Sequence, residues 1–92
     1  MIVLDILIVS LGYNSDGTNV LGDVRFEISE KAGETRSLTV SCRCPLSNRI
    51  PADALLVGDA IRQLRRMPEI RSGERRLEFA PGLKPLDTAK AA

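Results

Sequence analysis

Two cysteines with one residue between them, in Cys42-Arg43-Cys44-Pro45, are the first candidates for chemistry in this chain. On a strand, side chains two apart share a face, so both thiols point the same way, but a disulfide between such neighbours is strained. A tetrahedral metal site takes about four ligands. The chain has no histidine and no further cysteine to complete one, so a zinc site could arise only by sharing between copies. Cysteine is also among the residue types most often found inside proteins. The pair therefore reads as core.

Asn14, Asp16 and Gly17, with Asp23 six residues after the glycine, faintly resemble a calcium loop. An EF-hand loop starts with a carboxylate five residues before its glycine, where this chain has Gly12, and it needs flanking helices. The segment reads as a strand connection. Asp53 and Asp59 are six apart and do not share a helix face, no serine stands in a nucleophile-elbow context, and no glycine-rich loop opens a helix with phosphate-binding spacing. Without histidine the usual general base is missing. No catalytic, cofactor or metal residues are assigned, and the chain is expected not to be an enzyme.

Six arginines, Arg62, Arg65, Arg66, Arg71, Arg75 and Arg76, fall within fifteen residues. Such a patch can hold phosphates or an acidic protein surface by charge and forked hydrogen bonding. Asp59, Glu69, Glu74 and Glu78 are interleaved with them, and the only aromatic residues are Tyr13, Phe26 and Phe79. That is too few for a base-stacking platform. A solvated, partly salt-bridged surface is the simpler reading, and nucleic acid the alternative one.

The remaining constraints are global. At 92 residues the chain is long enough for one domain with a modest core. Its net charge is +1, divided as −2 over residues 1–45 and +3 over residues 46–92, so any charged partner must be met locally. The N-terminal run lacks a basic signal region, carries Asp5, and is too short to span a bilayer. With two cysteines in such a chain, the expectation is a cytoplasmic protein with free thiols, no membrane partner and no evident small-molecule ligand.

Hydrophobic periodicity then supplies the elements. Ile2 to Leu11 is apolar on both faces, Ile2, Leu4, Ile6 and Ile8 on one and Val3, Leu7 and Val9 on the other, interrupted by Asp5. Gly12 to Asn19 is turn material. Asp23 to Glu30 alternates, with Val24, Phe26 and Ile28 inward, and Leu38, Val40 and Cys42 continue the same parity. A hairpin centred on Gly33 pairs Phe26 with Val40, Asp23 with Arg43 and Glu30 with Arg36. Pro51 to Met67 carries an apolar stripe of Leu56, Val57, Ala60, Ile61, Leu64 and Met67 at helical spacing, and Pro68 is read as its stop. A short strand follows over Arg75 to Ala80.

The predicted fold is α+β, a small mixed four-stranded sheet in the order β-β-β-α-β with one helix on one face and the third and fourth strands parallel. Residues 1–80 form the single domain and residues 81–92 a flexible C-terminal tail. One helix cannot cover both faces of the first strand. Val3, Leu7 and Val9 are thereby marked as an apolar stripe on the far face. The tail, through Leu83 and Leu86, a second copy, or another protein is expected to cover it. The functional expectation is a small non-catalytic binding or assembly module, a homodimer or a subunit of a complex. The alternative is an arginine-patch binder of nucleic acid or an acidic partner.

Overall fold

The computed structural model describes residues 1–31 and 33–81. In chain order they form β1 (Ile2–Tyr13), β2 (Asn19–Lys31), β3 (Glu34–Pro45), α1 (Ala52–Arg65), a one-turn helix α2 (Pro68–Arg71) and a two-residue strand β4 (Glu78–Phe79). The four strands make one mixed sheet in the spatial order β3-β2-β1-β4, with α1 packed on one face. The α+β architecture expected from the periodicity is the one adopted. The proposed tail, with Leu83 and Leu86, lies outside the described residues from position 82 onward.

β2 and β3 form the long hairpin, with the expected inward set but a register two residues away from the expected one. Phe26 faces Leu38, Val24 faces Val40, and Asp23 faces Ser41. The chain closes between Lys31 and Glu34, with Gly33 at φ +82°. A tight turn of that kind needs the left-handed region that glycine enters freely. A bulge between Ser29 and Lys31 takes up the extra residue. Shifting by two preserves every inward and outward assignment, so side-chain periodicity alone cannot distinguish the registers. Glu30 still meets Arg36, at 2.6 Å, although Arg36 stands opposite Ile28.

α1 begins directly after Pro51, whose carbonyl accepts from Leu55 N–H at 3.0 Å. Asp53 lies in its first turn and Arg62 and Arg65 in its last, the order that complements the helix dipole. Leu56, Ala60, Ile61 and Leu64 are buried against Val20, Val24, Phe26 and Ile28 of β2 and Cys42 and Cys44 of β3. Gly22 permits that approach. A Cβ there would lie 2.2 Å from the Ser10 carbonyl oxygen and 2.7 Å from Leu56 Cδ1.

Two local departures concern the last quarter of the chain. Pro68 ends α1 but also starts α2, where its fixed φ and missing N–H suit a first helical position. The final strand shrinks from the expected Arg75–Ala80 to Glu78–Phe79. It runs in the same direction as β3, yet it pairs with β1, Ile2 facing Glu78 and Val3 facing Phe79.

Candidate interaction surface

β1 is hydrogen-bonded along its length to β2, but its other edge is paired only at its start. Glu78 N–H donates to the Met1 carbonyl at 3.0 Å and Ala80 N–H to the Val3 carbonyl at 2.9 Å. Beyond Val3, no strand among the described residues pairs with that edge. Ile6 N–H is taken by the neighbouring Asp5 carboxylate at 2.8 Å. The stretch from Leu7 to Tyr13 contains neither a charged residue nor a proline, the residues that most often blunt an exposed edge.

Two bulges decide which way β1 side chains point. Register shifts fall between Val3 and Asp5 and between Ile8 and Ser10, so that Leu4 and Val9 are extra residues. Val3 therefore faces Ile28, Ile6 faces Phe26, Ile8 faces Val24, Leu11 faces Gly22 and Tyr13 faces Val20, all on the helix side. Leu7 faces Arg25 and Ser10 faces Asp23 on the far side. The far-face stripe of Val3, Leu7 and Val9 is corrected at its first member. Val3 is 0% exposed, inside the core, because the bulge at Leu4 inverts the alternation that strict parity assumes.

Leu7 and Val9 are exposed, Val9 at 55%, and they are not alone. Ile2, Leu4, Ile8, Leu11 and Tyr13, the last at 56%, join them, so seven of the eight large exposed apolar side chains among the described residues belong to β1. The position of α1 explains the helix-side members. It packs mainly over β2 and β3 and only lightly over β1, leaving Ile8, Leu11 and Tyr13 without a cover of their own. On the far side, β2 and β3 present a polar lattice. Asp23 accepts from the Ser10 and Ser41 hydroxyls at 3.2 and 3.0 Å, Glu27 accepts from the Ser37 hydroxyl at 2.9 Å, and Arg25 pairs with Glu27 at 3.2 Å. Leu7 rises from this wet surface beside Arg25.

The two thiols are free and buried on the helix side of β3. Burial, reinforced by the nearby Asp59 carboxylate, pushes the Cys42 thiol up to about 12. Cys44 is raised by the same two causes, partly opposed by Arg62. Both are protonated at neutral pH, the form that is a poor nucleophile and a poor metal ligand. Asp59 is itself engaged by Arg62 and Gln63, and Gln63 also donates to the Ser41 carbonyl at 2.8 Å. The cluster ties α1 to β3. In the β1–β2 turn, the Asp16 carboxylate accepts from the Thr18 hydroxyl at 2.7 Å and the Thr18 N–H at 3.2 Å, which holds its pKa below the usual carboxylate range. Among the described residues, no three histidine, cysteine, aspartate or glutamate side chains converge on a point where a metal could sit.

The arginines differ in what holds them and in where they stand. Arg62 is held by Asp59 at 3.1 Å, and Arg75 and Arg36 converge on Glu30, depressing its pKa chiefly through the Arg75 hydrogen bond. Arg65, Arg75 and Arg76 line an open hollow of about 480 Å³ with Ile70, Leu77 and Glu78. Arg66 and Arg71 stand on the exposed surface outside it. Three of the six arginines thus share one hollow, and Arg62, Arg66 and Arg71 do not line it.

The sequence pattern marked β1 as under-covered but missed Ile2, Leu4, Ile8 and Leu11 as exposed positions, and placed Tyr13 in the turn instead of on the strand. The only available signal was the mismatch in length between a run apolar to Leu11 and a helix laid over neighbouring strands. No protein family, curated protein or solved structure matches this chain.

Proposed function

We propose that this protein is a small non-catalytic binding or assembly module, acting as a homodimer or a subunit of a complex, whose recognition surface is β1. The observation that carries this reading is the concentration of exposed apolar side chains on a single strand that also has an open edge. An edge strand presents unpaired N–H and C=O groups, and recognition by strand addition uses those groups for affinity and the alternate side chains for specificity. Leu7 and Val9 belong to this surface on the far side, and Leu11 and Tyr13 on the helix side. The free, buried thiols fit a reducing, cytoplasmic setting. No described helix is long and apolar enough to cross a membrane.

The test is molar mass by light scattering after size exclusion, over a concentration series at two salt levels. A species heavier than one chain, indifferent to salt and reduced to a folded monomer by Leu7→Asp, supports the reading. An assembly that Leu7→Asp leaves intact places the contact away from the far-side part of β1.

A second reading rests on the hollow lined by Arg65, Arg75 and Arg76. It binds an anionic partner, either an acidic protein segment or nucleic acid phosphate. Its affinity should fall steeply between about 50 and 200 mM salt and on Arg65→Gln with Arg76→Gln. No binding to RNA or DNA at low salt disposes of the nucleic-acid form.

A further inference from the structure

We infer that the occupant of the open β1 edge is a second copy of this chain, paired antiparallel about a two-fold axis so that two four-stranded sheets join into one of eight strands. This inference rests on the proposed role of β1 as the recognition surface and names its partner.

Self-complementarity supports the choice. Opposed residues of an antiparallel pair share a face. Ile6, Ile8, Leu11 and Tyr13 lie on the helix side, whereas Leu7, Ser10 and Gly12 lie on the far side, with the extra residue Val9 standing next to Ser10 opposite Asp23. Only when paired positions add to nineteen does every pair from Ile6 to Tyr13 keep to a common face. Ile6 then faces the partner's Tyr13, Leu7 the partner's Gly12, Ile8 the partner's Leu11, and Val9 the partner's Ser10. Slipping by two residues either way sets a helix-side residue against a far-side one.

Charge and space agree with that register. The lone carboxylate, Asp5, comes level with the partner's Asn14 instead of a second carboxylate, whereas a parallel in-register pairing opposes the two Asp5 groups. The segment it uses starts beyond Ile2 and Val3, the positions already taken by β4. Because α1 sits over β2 and β3, two sheets can approach edge to edge, bringing Ile8, Leu11 and Tyr13 of both copies together between the helices. The exposed apolar side chains of β1 offer on the order of 500 Å² per copy, so the pair buries on the order of 1,000 Å², at the lower end of specific interfaces. A micromolar dimer is the expected strength.

Three measurements on the full chain test this. The wild type should be dimeric at about 100 µM. Leu11→Lys should weaken dimerisation at least about 100-fold with an unchanged circular dichroism spectrum, since the change is repeated in both copies. A chain carrying Ile8→Cys and Leu11→Cys should oxidise to a covalent dimer, while Ile8→Cys with Tyr13→Cys, out of register by two, should not. A dimer that resists both Leu7→Asp and Leu11→Lys overturns the role of β1 itself. A monomeric wild type that dimerises on Leu83→Ser with Leu86→Ser identifies the chain's own C-terminal segment as the occupant, which keeps the β1 surface but overturns the second copy. A wild type monomeric together with every variant overturns the second copy outright.

Discussion

β1 and β2 lie side by side in one sheet, are each rich in β-branched and aliphatic residues, and meet opposite fates. Val20, Val24, Phe26 and Ile28 of β2 are all 0% exposed, whereas β1 contributes one fully buried side chain, Val3. Composition does not separate them. What separates them is position, since β2 is central in the sheet and lies under α1, and β1 is peripheral to both the helix and, past Val3, the sheet. Apolar character on a strand measures demand for cover, and the fold supplies that cover by topology.

The contrast predicts a large asymmetry in truncation costs. Phe26→Ala should destabilise the fold by about 3–5 kcal/mol, because the ring leaves a cavity that α1 cannot collapse into. Ile8→Ala, one register step away on β1, should cost less than about 1.5 kcal/mol, since the removed atoms are already partly in water. Chemical denaturation of both variants, compared at equal slope, measures the difference. Equal losses would mean that β1 is packed as tightly as β2.

Gly22→Ala comes next. Its Cβ would meet the Ser10 carbonyl and Leu56 Cδ1 together, so it should cost about 1–3 kcal/mol by forcing β1 and α1 away from β2. The leucine can rotate but the carbonyl cannot. If denaturation of this variant matches the wild type, the close approach of the three elements is not needed for stability.

Leu7→Asp should have a smaller effect on the single chain. The position is solvent-facing beside Arg25, and the new carboxylate gains an opposite charge across the strand pair. The expected stability change is within about 1 kcal/mol. The effect should appear in the molar mass instead. A variant that unfolds would place Leu7 in the core and erase the contrast between the strands.

How much of this was legible in sequence follows from what each pattern encodes. Inward parity in β2 and β3, the helical stripe from Leu56 to Leu64, and the expected element order were readable because burial repeats at the period of the backbone. The hairpin register was not readable, since shifting it by two keeps all parities and only the turn at Gly33 and the bulge at Glu30 choose between them. The face of Val3 was not readable either. A single extra residue at Leu4 inverts the alternation as far as Ile8, a second at Val9 restores it, and a strand apolar on both faces gives little sign of either bulge. Pro68 read as a stop because a proline that ends one helix is also well suited to begin another. The arginine cluster was visible as composition, but which guanidinium groups share a hollow depends on the α2 turn, one turn long and without a period of its own.

The smallest expected effect concerns the polar seam joining the β2–β3 hairpin to the segment before β4. Glu30 accepts from Arg75 and Arg36, which holds its carboxyl below the ordinary glutamate range in the folded chain. A depressed folded pKa means that the unfolded chain binds more protons at mildly acidic pH, so folding is favoured above the unfolded value. That contribution is lost as pH falls through the unfolded value towards the folded one. Glu30→Gln should therefore leave stability at pH 7 slightly lower and flatten the acid limb of the stability curve, and raised salt should blunt the difference because the pairs are near the surface. Denaturant midpoints at intervals from pH 7 down to pH 3 measure it. Parallel curves for the two proteins would show that Arg75 and Arg36 do not engage Glu30 in solution. The occupied start of the β1 edge would then rest on the backbone hydrogen bonds to Met1 and Val3, the Met1 ammonium on the Arg76 carbonyl at 3.0 Å, and the packing of Leu77 and Phe79 against the core.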